Sequence, residues 1–383
     1  MIAFAIPLFI VILIVIFSAG GNIFKGAENS LSRIRPYFFV AKDLDQKDQG
    51  QSPTTSVLQK PTVASPSFTL DTAITAGPKE KESIINTQIT FEFSGSQIPS
   101  STQEQILFES KVPGVDTDWI TTQNTRTLNL PTGSKEYTLL VRSKLNTVVD
   151  ETPASRIFSV NVSPYFQKVI ISSLSTAVPS LIALKANLKQ GEEISITGWK
   201  IQGKAGSFEV PLGIEQINPF SSLQPGDPIK VKTTDAVYLS SSRGPFGLGK
   251  HFKPNICMGY LKSSYSFPLS VPSSCDFDKP KEETILFLLQ ACQDFLLKKV
   301  SYGSCTIPDY SQDISIKADT ECTAYIENNL GYTPCFNKHQ KEPGFLKDEW
   351  HIYMNMNLLT QRFDTIELLD QNGLVVDQEK YSL

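Results

Sequence analysis

The distribution of cysteine constrains this chain more than any other feature of its sequence. All six cysteines of the 383-residue chain lie in one stretch of its last third, and none precedes it. They are Cys257, Cys275, Cys292, Cys305, Cys322 and Cys335. An even number of cysteines in one region predicts local disulfide bonds within one module. Because disulfides persist in oxidising compartments, the cysteines also predict that this module lies outside the cytoplasm.

The spacing of these cysteines bears on their chemistry. No Cys-x-x-Cys pair occurs, so we expect disulfides instead of a structural zinc site, and we predict no metal and no other cofactor. Six cysteines allow many connectivities, of which we predict pairing between sequence neighbours. The predicted bonds join Cys257 to Cys275, Cys292 to Cys305, and Cys322 to Cys335. Each loop would stabilise the fold by about 3 kcal/mol in the chain-entropy description.

A helix is predicted around one of these cysteines. Between Glu283 and Lys299, four residues share one helical face, which predicts that this face packs into a core. They are Leu286, Leu289, Cys292 and Leu296. Cys292 is therefore expected to form its bond on the buried side of the helix.

The apolar N-terminal segment is the second strong constraint. Residues 2–17 carry no charge, and Leu8 to Phe17 is an unbroken run of Leu, Ile, Val and Phe. A helix of about 20 such residues just spans the ~30 Å hydrocarbon core of a bilayer. We therefore predict one transmembrane helix over 1–21, which makes the membrane a partner of the chain. A cleaved signal peptide and a buried core helix are the alternatives.

The orientation of this segment follows from two opposing signals. The nearest positive charges come after it, at Lys25, Arg33 and Arg35, and the positive-inside tendency would keep that flank cytoplasmic. The cysteines favour the opposite orientation, and long domains are translocated largely regardless of flanking charge. We expect the chain to be membrane-anchored on the extracytoplasmic face, or secreted if the segment is cleaved.

Two polar segments follow the apolar one. Residues 22–41 mix apolar and polar side chains, which predicts a juxtamembrane helix at the interface, broken near Pro36. Residues 42–83 are rich in Gln, Ser, Thr, Pro, Asp and Lys and show no apolar period. We predict a flexible linker there, with a root-mean-square reach of roughly 35 Å for about 40 residues.

Short alternating runs begin at residue 84 and continue to 163. Apolar and polar residues alternate in them, and turn sequences separate them, as in a β-sandwich. The alternating residues include Ile89, Phe91, Phe93, Phe108, Leu128, Leu130, Tyr137, Leu139, Val141, Phe158, Val160 and Val162. With Trp119, the stretch LNLPTGSKEYTLLVRS (128–143) and the stretch DETPASRIFSVNV (150–162), this module resembles a fibronectin type III-like domain. The resemblance implies an immunoglobulin-like sandwich.

Strand patterns resume over 165–383. Strands are predicted over Val169–Leu174, Leu181–Ala186, Glu192–Ile201 and Asp235–Ser241. The stretch 364–381 predicts a closing hairpin, with a type I′ turn at Asn372-Gly373.

This second set of strands resembles a bacterial lamin-tail domain, which is also an immunoglobulin-like sandwich. The matching features are the ISITGWKI strand and the hairpin residues Asp364, Ile366, Leu368, Asp370, Gly373, Val376, Asp377 and Tyr381. The chain departs from that family in a long insertion at about 242–349, which holds all six cysteines. As a whole it is similar to hypothetical envelope proteins of ultrasmall bacteria. The resemblance implies an accessory, interacting role and supplies no activity.

The sequence offers few residues for catalysis. His339 and Cys335 could form a nucleophilic pair, but that thiol is expected to be oxidised. His251 and His351 are expected to be packed or on the surface. The glycine-rich stretch GPFGLG (244–249) lacks the Lys-Ser/Thr of a phosphate-binding loop and is interpreted as a simple loop.

Acidic residues give no firmer site. Asp116 and Asp118 beside Trp119 could suggest a cation site, but a solvated turn is the simpler interpretation. Asp348, Glu349 and Asp364 could suggest a carboxylate pair, and they are likewise interpreted as separate surface acids. We predict no catalytic, cofactor-binding or metal-binding residues, and hence no enzyme.

Charge narrows the choice of partners. The net charge of −4 and the scattered lysines provide no basic field, so nucleic-acid binding is not expected from the sequence. We predict a mainly β protein of two tandem immunoglobulin-like sandwiches, the second with a partly helical, disulfide-bonded insertion. Its predicted role is envelope interaction or adhesion, with a protein or glycan partner at the cell surface. The alternatives are a nucleic-acid-binding or nuclease-associated surface protein and a purely structural envelope spacer.

Overall fold

A computed structural model describes residues 68–100 and 105–382 of the chain. This part is mainly β, with several sheets and a few short helices. The predicted anchor (1–21), the juxtamembrane segment (22–41) and most of the linker (42–83) lie outside the described residues. Among the helices of the described part, none combines the length and apolar character needed to cross a membrane.

Residues 68–163, which we call the first module, form a sandwich of two sheets. Its strands are β1 (Thr69–Ala76), β2 (Glu82–Ile84), β3 (Gln88–Ile98), β4 (Leu107–Lys111), β5 (Ile120–Thr122), β6 (Thr125–Asn129), β7 (Gly133–Leu145), β8 (Val148–Val149) and β9 (Ala154–Val162). A sheet of order β1-β3-β6 faces a sheet of order β9-β7-β4-β5. This three-on-four arrangement is immunoglobulin-like.

The predicted linker extends too far toward the C-terminus, because a strand begins within it. Strand β1 occupies part of the range 42–83 and pairs antiparallel with β3, with Leu70 buried between the sheets. Its sequence, TLDTAITA, carries too few large apolar residues to show a period. The strand therefore depends on backbone hydrogen bonding to β3, which is a tertiary contact and not a local sequence preference.

Alternating residues of the strands fill the core of the first module. On β3, β7 and β9 every residue predicted to face inward is buried. Phe91 and Phe158 contact each other from opposite sheets, with ring centroids 5.4 Å apart. Burying one such side chain stabilises a fold by roughly 1.5–3 kcal/mol. Trp119 instead lies half-buried at the surface, where the Arg142 guanidinium stacks 4.1 Å from its ring centroid.

Residues 165–382, the second module, contain another pair of sheets. Its strands are β10 (Val169–Ser175), β11 (Leu181–Ala186), β12 (Glu193–Ser195), β13 (Lys200–Gly203), β14 (Gly206–Glu209), β15 (Lys230–Lys232), β16 (Ala236–Ser240), β17 (Glu349–Tyr353), β18 (Phe363–Leu369) and β19 (Val375–Ser382). The sheet β10-β11-β16-β17 and the strands β14-β13-β18-β19 share one core around Trp199 and Trp350. Since β16 and β17 are parallel neighbours, the chain between them leaves and re-enters the same sheet.

The two modules are joined through one continuous sheet. Strand β19 lies parallel to β9, with Val375 opposite Val162, and the Ser163 amide donates to the Val375 carbonyl at 2.8 Å. One carboxylate adds to this connection, since Ser163 Oγ donates to Asp370 Oδ2 at 2.7 Å. A rigid joint follows, whereas tandem modules by themselves predict a mobile one.

The closing hairpin has a different turn from the predicted type I′. A type I′ turn needs positive φ at both central residues, but Gly373 has φ +76 while Asn372 does not. Asp370 explains the difference, since its Oδ1 accepts from the Asn372 and Leu374 amides at 2.8 and 3.0 Å. The Asp370 side chain thus organises a longer loop, in which Gly373 has a left-handed backbone conformation and Asn372 does not.

The insertion, residues 241–348, is built from short helices and loops. Its helices are α1 (Gln290–Asp294), which continues as a π-helical turn (Phe295–Lys299), α2 (Ile314–Lys317), α3 (Thr320–Asn329) and α4 (Tyr332–His339), with 3-10 turns at Ile256–Leu261, Asp276–Asp278, Glu282–Thr284 and Tyr302–Ser304. Asp319 caps α3 by accepting from the Glu321 and Cys322 amides. Such caps matter here because helices this short are not stable alone.

All six cysteines form disulfides, but not between sequence neighbours. The bonds are Cys257–Cys335, Cys275–Cys305 and Cys292–Cys322. The predicted pairing is wrong because the later half of the insertion folds back over the earlier half, so each of the last three cysteines bonds to one of the first three. The Cys257–Cys335 bond closes most of the insertion, with a sequence separation of 78.

The helix predicted over 283–299 is also only partly formed. Cys292 and Leu296 are buried as predicted, but Leu286 and Leu289 are 65% and 64% exposed. Helix α1 begins only at Gln290, and before it lie the 3-10 turn Glu282–Thr284 and a second turn, in which the Leu288 amide donates to the Ile285 carbonyl at 3.0 Å. In this arrangement Ile285 and Leu288 are buried instead. The replacement of one continuous helix by separate turns changes which apolar residues reach the core.

Candidate functional site

The cysteine–histidine pair considered for catalysis does not exist as a nucleophile and base. Cys335 is bonded to Cys257. His339 is buried between two carboxylates, with Nδ1 2.8 Å from Glu342 Oε2 and Nε2 3.2 Å from Asp278 Oδ1. The oxidised sulfur has no thiolate to attack with.

Asp278 is the centre of a buried polar network in the insertion. Its side chain is fully buried and accepts from Tyr260 Oη at 3.0 Å and from Lys338 Nζ at 3.2 Å, in addition to contacting His339. Burial, followed by the charge of Asp278, raises the pKa of Tyr260 far above its usual range. Because its members, Asp278 included, come from three segments of the chain, this network ties the insertion together.

The other two histidines lie at the base of the insertion. Burial lowers the pKa of His251 to about 4, so its neutral Nδ1 accepts from the Tyr353 amide at 3.1 Å. His351 is also buried, with Nε2 3.1 Å from Glu349 Oε1. The ring of Phe252 contacts both His351 and Tyr353, so this region is packed.

The acidic residues considered as sites are held apart with separate partners. Asp116 has a mostly buried side chain that pairs with Arg126 at 2.7 Å and accepts from the Val112 amide, whereas Asp118 is exposed. Asp364 accepts from the Lys204 amide at 2.7 Å on β18, while Glu349 lies on β17 in another sheet. Asp364 and Glu349 therefore form no pair, and Asp364 is buried, not on the surface as predicted.

One group of potential metal ligands lies close together among the described residues. The side chains of Cys292, Asp319 and Cys322 meet within 4.8 Å. The two sulfurs are bonded to each other, and Asp319 serves as the cap of α3. The closeness is therefore explained by the disulfide and the cap.

A concave apolar site forms where the insertion meets the second module. We call it the aromatic cleft; it has a volume of about 310 Å³. Its lining includes Ile217, Asn218, Phe246, Tyr265, Tyr332 and Thr333. These residues come from the loop 213–227, the glycine-rich loop 244–249, the start of the insertion and the turn between α3 and α4. Clefts of this size and composition are the usual form of a binding site.

Phe246 forms the centre of the aromatic wall. Its ring lies 4.9 Å from that of Tyr265, 5.2 Å from that of Phe252 and 5.8 Å from that of Phe267, all edge-to-face. Such edge-to-face pairs fix the ring positions relative to one another. The glycine-rich stretch 244–249, which the sequence predicted to be a simple loop, therefore places the Phe246 ring in this packed wall.

Tyr332 fixes the opposite side of the cleft. It follows Gly331, whose φ of +114 permits the sharp turn between α3 and α4. The Tyr332 hydroxyl donates to the Ile217 carbonyl at 2.6 Å and accepts from Asn255 Nδ2 at 3.0 Å. Burial raises the pKa of Tyr332 to about 12, so this hydroxyl keeps its proton at neutral pH. The insertion is thereby locked to the 213–227 loop.

Aromatic groups also remain open to solvent at the rim. Tyr265 is 40% exposed, and Phe220, between the lining residues Pro219 and Ser221, is 68% exposed. None of the described residues that line the cleft is charged. No motif in the sequence predicts this site, although aromatic residues are dense between 246 and 267.

Comparisons with known proteins give only weak similarities. No protein-family model matches the chain, and no curated protein matches it. Two solved structures from B. thetaiotaomicron resemble parts of it: extracellular domains of proteins named as a hybrid two-component system and as a one-component system. They are 20% and 18% identical, each with a TM-score of 0.18. Each covers 22% of this chain, which spans only 11% and 12% of theirs.

Proposed function

We propose that this protein is a non-catalytic binding protein of the extracytoplasmic cell surface, with the aromatic cleft as its recognition site. The N-terminal segment would hold it at the membrane and the linker would let it reach outward. In this proposal the protein mediates envelope interaction or adhesion.

The disulfides support the extracytoplasmic location. All six cysteines are bonded, and the three bonds lie in a region whose helices are too short to be stable alone. A reducing cytoplasm would open such bonds, so the insertion fits an oxidising compartment. A bacterial envelope protein facing outward meets that requirement.

The aromatic cleft is the observation that carries the binding role. Its walls are rigid because Tyr332 is hydrogen-bonded on both sides and Phe246 is packed among aromatic rings. Tyr265 lines the cleft and is partly exposed, and tyrosine is among the side chains that dominate binding energies. Exposed Phe220 lies in sequence between the lining residues Pro219 and Ser221. A spacer alone gives no reason to build such a cleft.

The chemistry of the lining supports binding over catalysis and disfavours nucleic acid as the partner. The residues of the cleft that the structure describes include no histidine, carboxylate or cysteine for proton transfer or attack. They also include no Lys or Arg to meet phosphates. The nucleic-acid alternative would need a basic surface elsewhere and salt-dependent binding to DNA.

Binding of the full-length chain to isolated cell envelopes tests the role of the cleft. The double substitution Phe220→Ala and Tyr265→Ala removes two exposed rings, and we expect it to weaken co-sedimentation at least tenfold. Phe363→Ala is the matched control, because Phe363 is 61% exposed on β18 and does not line the cleft. Equal binding by wild type and the double variant, with unchanged thermal unfolding, would refute the cleft as the recognition site.

The location has its own test. Intact cells are treated with a membrane-impermeant thiol reagent before and after reduction. We expect labelling of the insertion cysteines only after reduction, without cell lysis. Free thiols that react only after lysis would show that the chain faces the cytoplasm.

A further inference from the structure

A second concavity adjoins the aromatic cleft. It lies between the end of α3 and the outer face of α4 and has a volume of about 440 Å³. We call it the amide groove; its lining includes Glu327, Asn328, Asn329, Thr333, Asn337 and Lys338. Thr333 lines both sites, so the cleft and the groove meet at this residue. One elongated ligand can therefore occupy both.

Helix geometry places these polar groups together. Thr333 and Asn337 are four residues apart on α4 and so share its outer face. Cys335, Phe336 and His339 occupy the opposite face and are buried. The disulfide to Cys257 thus fixes the rotation of α4 and, with it, the direction of the groove side chains.

The groove offers hydrogen-bonding groups of both kinds. A carboxamide side chain donates and accepts, and the last turn of a helix such as α3 leaves backbone carbonyls free. Asn329 donates to the Tyr325 carbonyl. The side chains of Asn328 and Asn337 are exposed, while their backbones lie within α3 and α4. They are the groups available to a ligand.

The charge and shape of the lining limit what this ligand is. Glu327 and Lys338 carry opposite charges, so the groove attracts neither a polyanion nor a polycation. Pro334 is the one apolar residue among the described residues of its lining, which provides no pockets for the side chains of an extended peptide. A molecule with hydroxyl groups along its length and flat C–H faces for aromatic rings satisfies both sites.

We infer that a neutral glycan chain binds across the aromatic cleft and the amide groove. One sugar ring packs against Tyr265 and Phe220, and the following sugars place hydroxyl groups on Asn328 and Asn337. Each site has room for about a disaccharide or trisaccharide. This inference rests on the proposed binding function and names its ligand class.

Calorimetric titration of the full-length protein with neutral oligosaccharides tests the inference. The probes are cello- and chitin-oligosaccharides from monosaccharide to hexasaccharide, with polygalacturonate as the polyanionic comparison. We expect affinity to rise with chain length until both sites are filled, and no preference for polygalacturonate. The double variant Phe220→Ala and Tyr265→Ala is expected to lose binding to every length.

Substitutions in the groove separate the two sites. Asn328→Ala and Asn337→Ala each remove one polar partner, and alanine favours the helices in which they lie. Each is expected to weaken hexasaccharide binding about three- to tenfold while leaving disaccharide binding unchanged. Asn129→Ala, an exposed asparagine on β6, is the matched control and is expected to change neither.

Different results overturn the inference and the function separately. An affinity independent of chain length, or one unaffected by the groove substitutions, overturns the glycan path while the cleft remains a binding site. Loss of envelope binding by the cleft variant without any oligosaccharide binding overturns the glycan class alone. Envelope binding that is insensitive to the cleft variant overturns the proposed function.

Discussion

The first module and the insertion are stabilised in different ways. The first module holds its core through ladders of long strands, and its buried side chains come from residues that alternate in sequence. The insertion has only short helices, and two of the small cores that its residues form include disulfide-bonded cysteines. Regular backbone pairing thus supports a core without cross-links, whereas an irregular segment needs covalent bonds to fix one arrangement.

Reduction of the disulfides should produce the largest difference in stability between the insertion and the first module. Each bond is worth about 4 kcal/mol for loops of these lengths in the chain-entropy description, which is comparable with the whole stability of many domains. We expect hydrogen exchange after reduction to show loss of protection in α3 and α4, with β7 and β9 unchanged. Equal loss in both regions would mean that the insertion also supports the first module.

A core substitution in the first module should have the next largest effect. Phe158 is completely buried against Phe91 and Tyr137, so Phe158→Ala should lower the free energy of unfolding by roughly 3–5 kcal/mol. Urea titration should show the same loss of unfolding free energy for Phe158→Ala in the oxidised and in the reduced protein. Ile120→Ala, at a residue 43% exposed, is the control and should change stability by less than about 0.5 kcal/mol.

Mild acid should destabilise the base of the insertion and spare the first module, which contains no histidine. His251 has a folded-state pKa of about 4 against 6.5 when unfolded, because burial disfavours its charged form. Only the unfolded state gains a proton between these values, so stability falls as the pH drops through this window. The expected loss between pH 7 and pH 5 is about 2 kcal/mol.

Chemical denaturation at both pH values, followed by signals from each region, measures this effect. His251→Gln should remove the pH dependence, whatever it does to stability at pH 7. The first module should respond only at lower pH, where Glu109 becomes protonated. A hydrogen bond from Lys144 holds the pKa of that carboxyl below its usual 4.5. A pH response that survives His251→Gln would assign the effect to another group.

The smallest effect concerns two neighbouring leucines in the insertion. Leu289 is 64% exposed and Leu288 is 3% exposed, although the helical pattern predicted a buried Leu289. Leu289→Ser should change the free energy of unfolding by less than about 0.5 kcal/mol. Leu288→Ser is the paired comparison and should cost several times more. If Leu289→Ser lowered the unfolding temperature more than Leu288→Ser did, Leu289 would be buried as the helical pattern predicted.

Part of this architecture is visible in the sequence. Ile89, Phe91 and Phe93 alternate with polar residues, and the structure buries all three on β3. A strand with such alternation has one apolar face wherever it lies, so its burial can be predicted locally. Strand β1 shows the limit, since it depends on the backbone of β3 and carries little pattern of its own.

The candidate site was less predictable than the strands. Phe246 begins a stretch dense in aromatic residues, but Tyr332 lies far from it in sequence and has no such context. They line one cleft because the insertion folds back over the 213–227 loop, where Tyr332 bonds to Ile217. Convergence of this kind has no local signature.

The sequence by itself determined that the chain has apolar strands in two sets and six cysteines in one module that form disulfides. Periodicity and residue type are enough for these features, because they depend on local spacing and on cysteine chemistry. The partners of the cysteines, the sheet shared at Val162 and Val375, and the aromatic cleft were decided by the tertiary structure. Each requires segments distant in sequence to meet, and only packing of the whole chain selects which segments do.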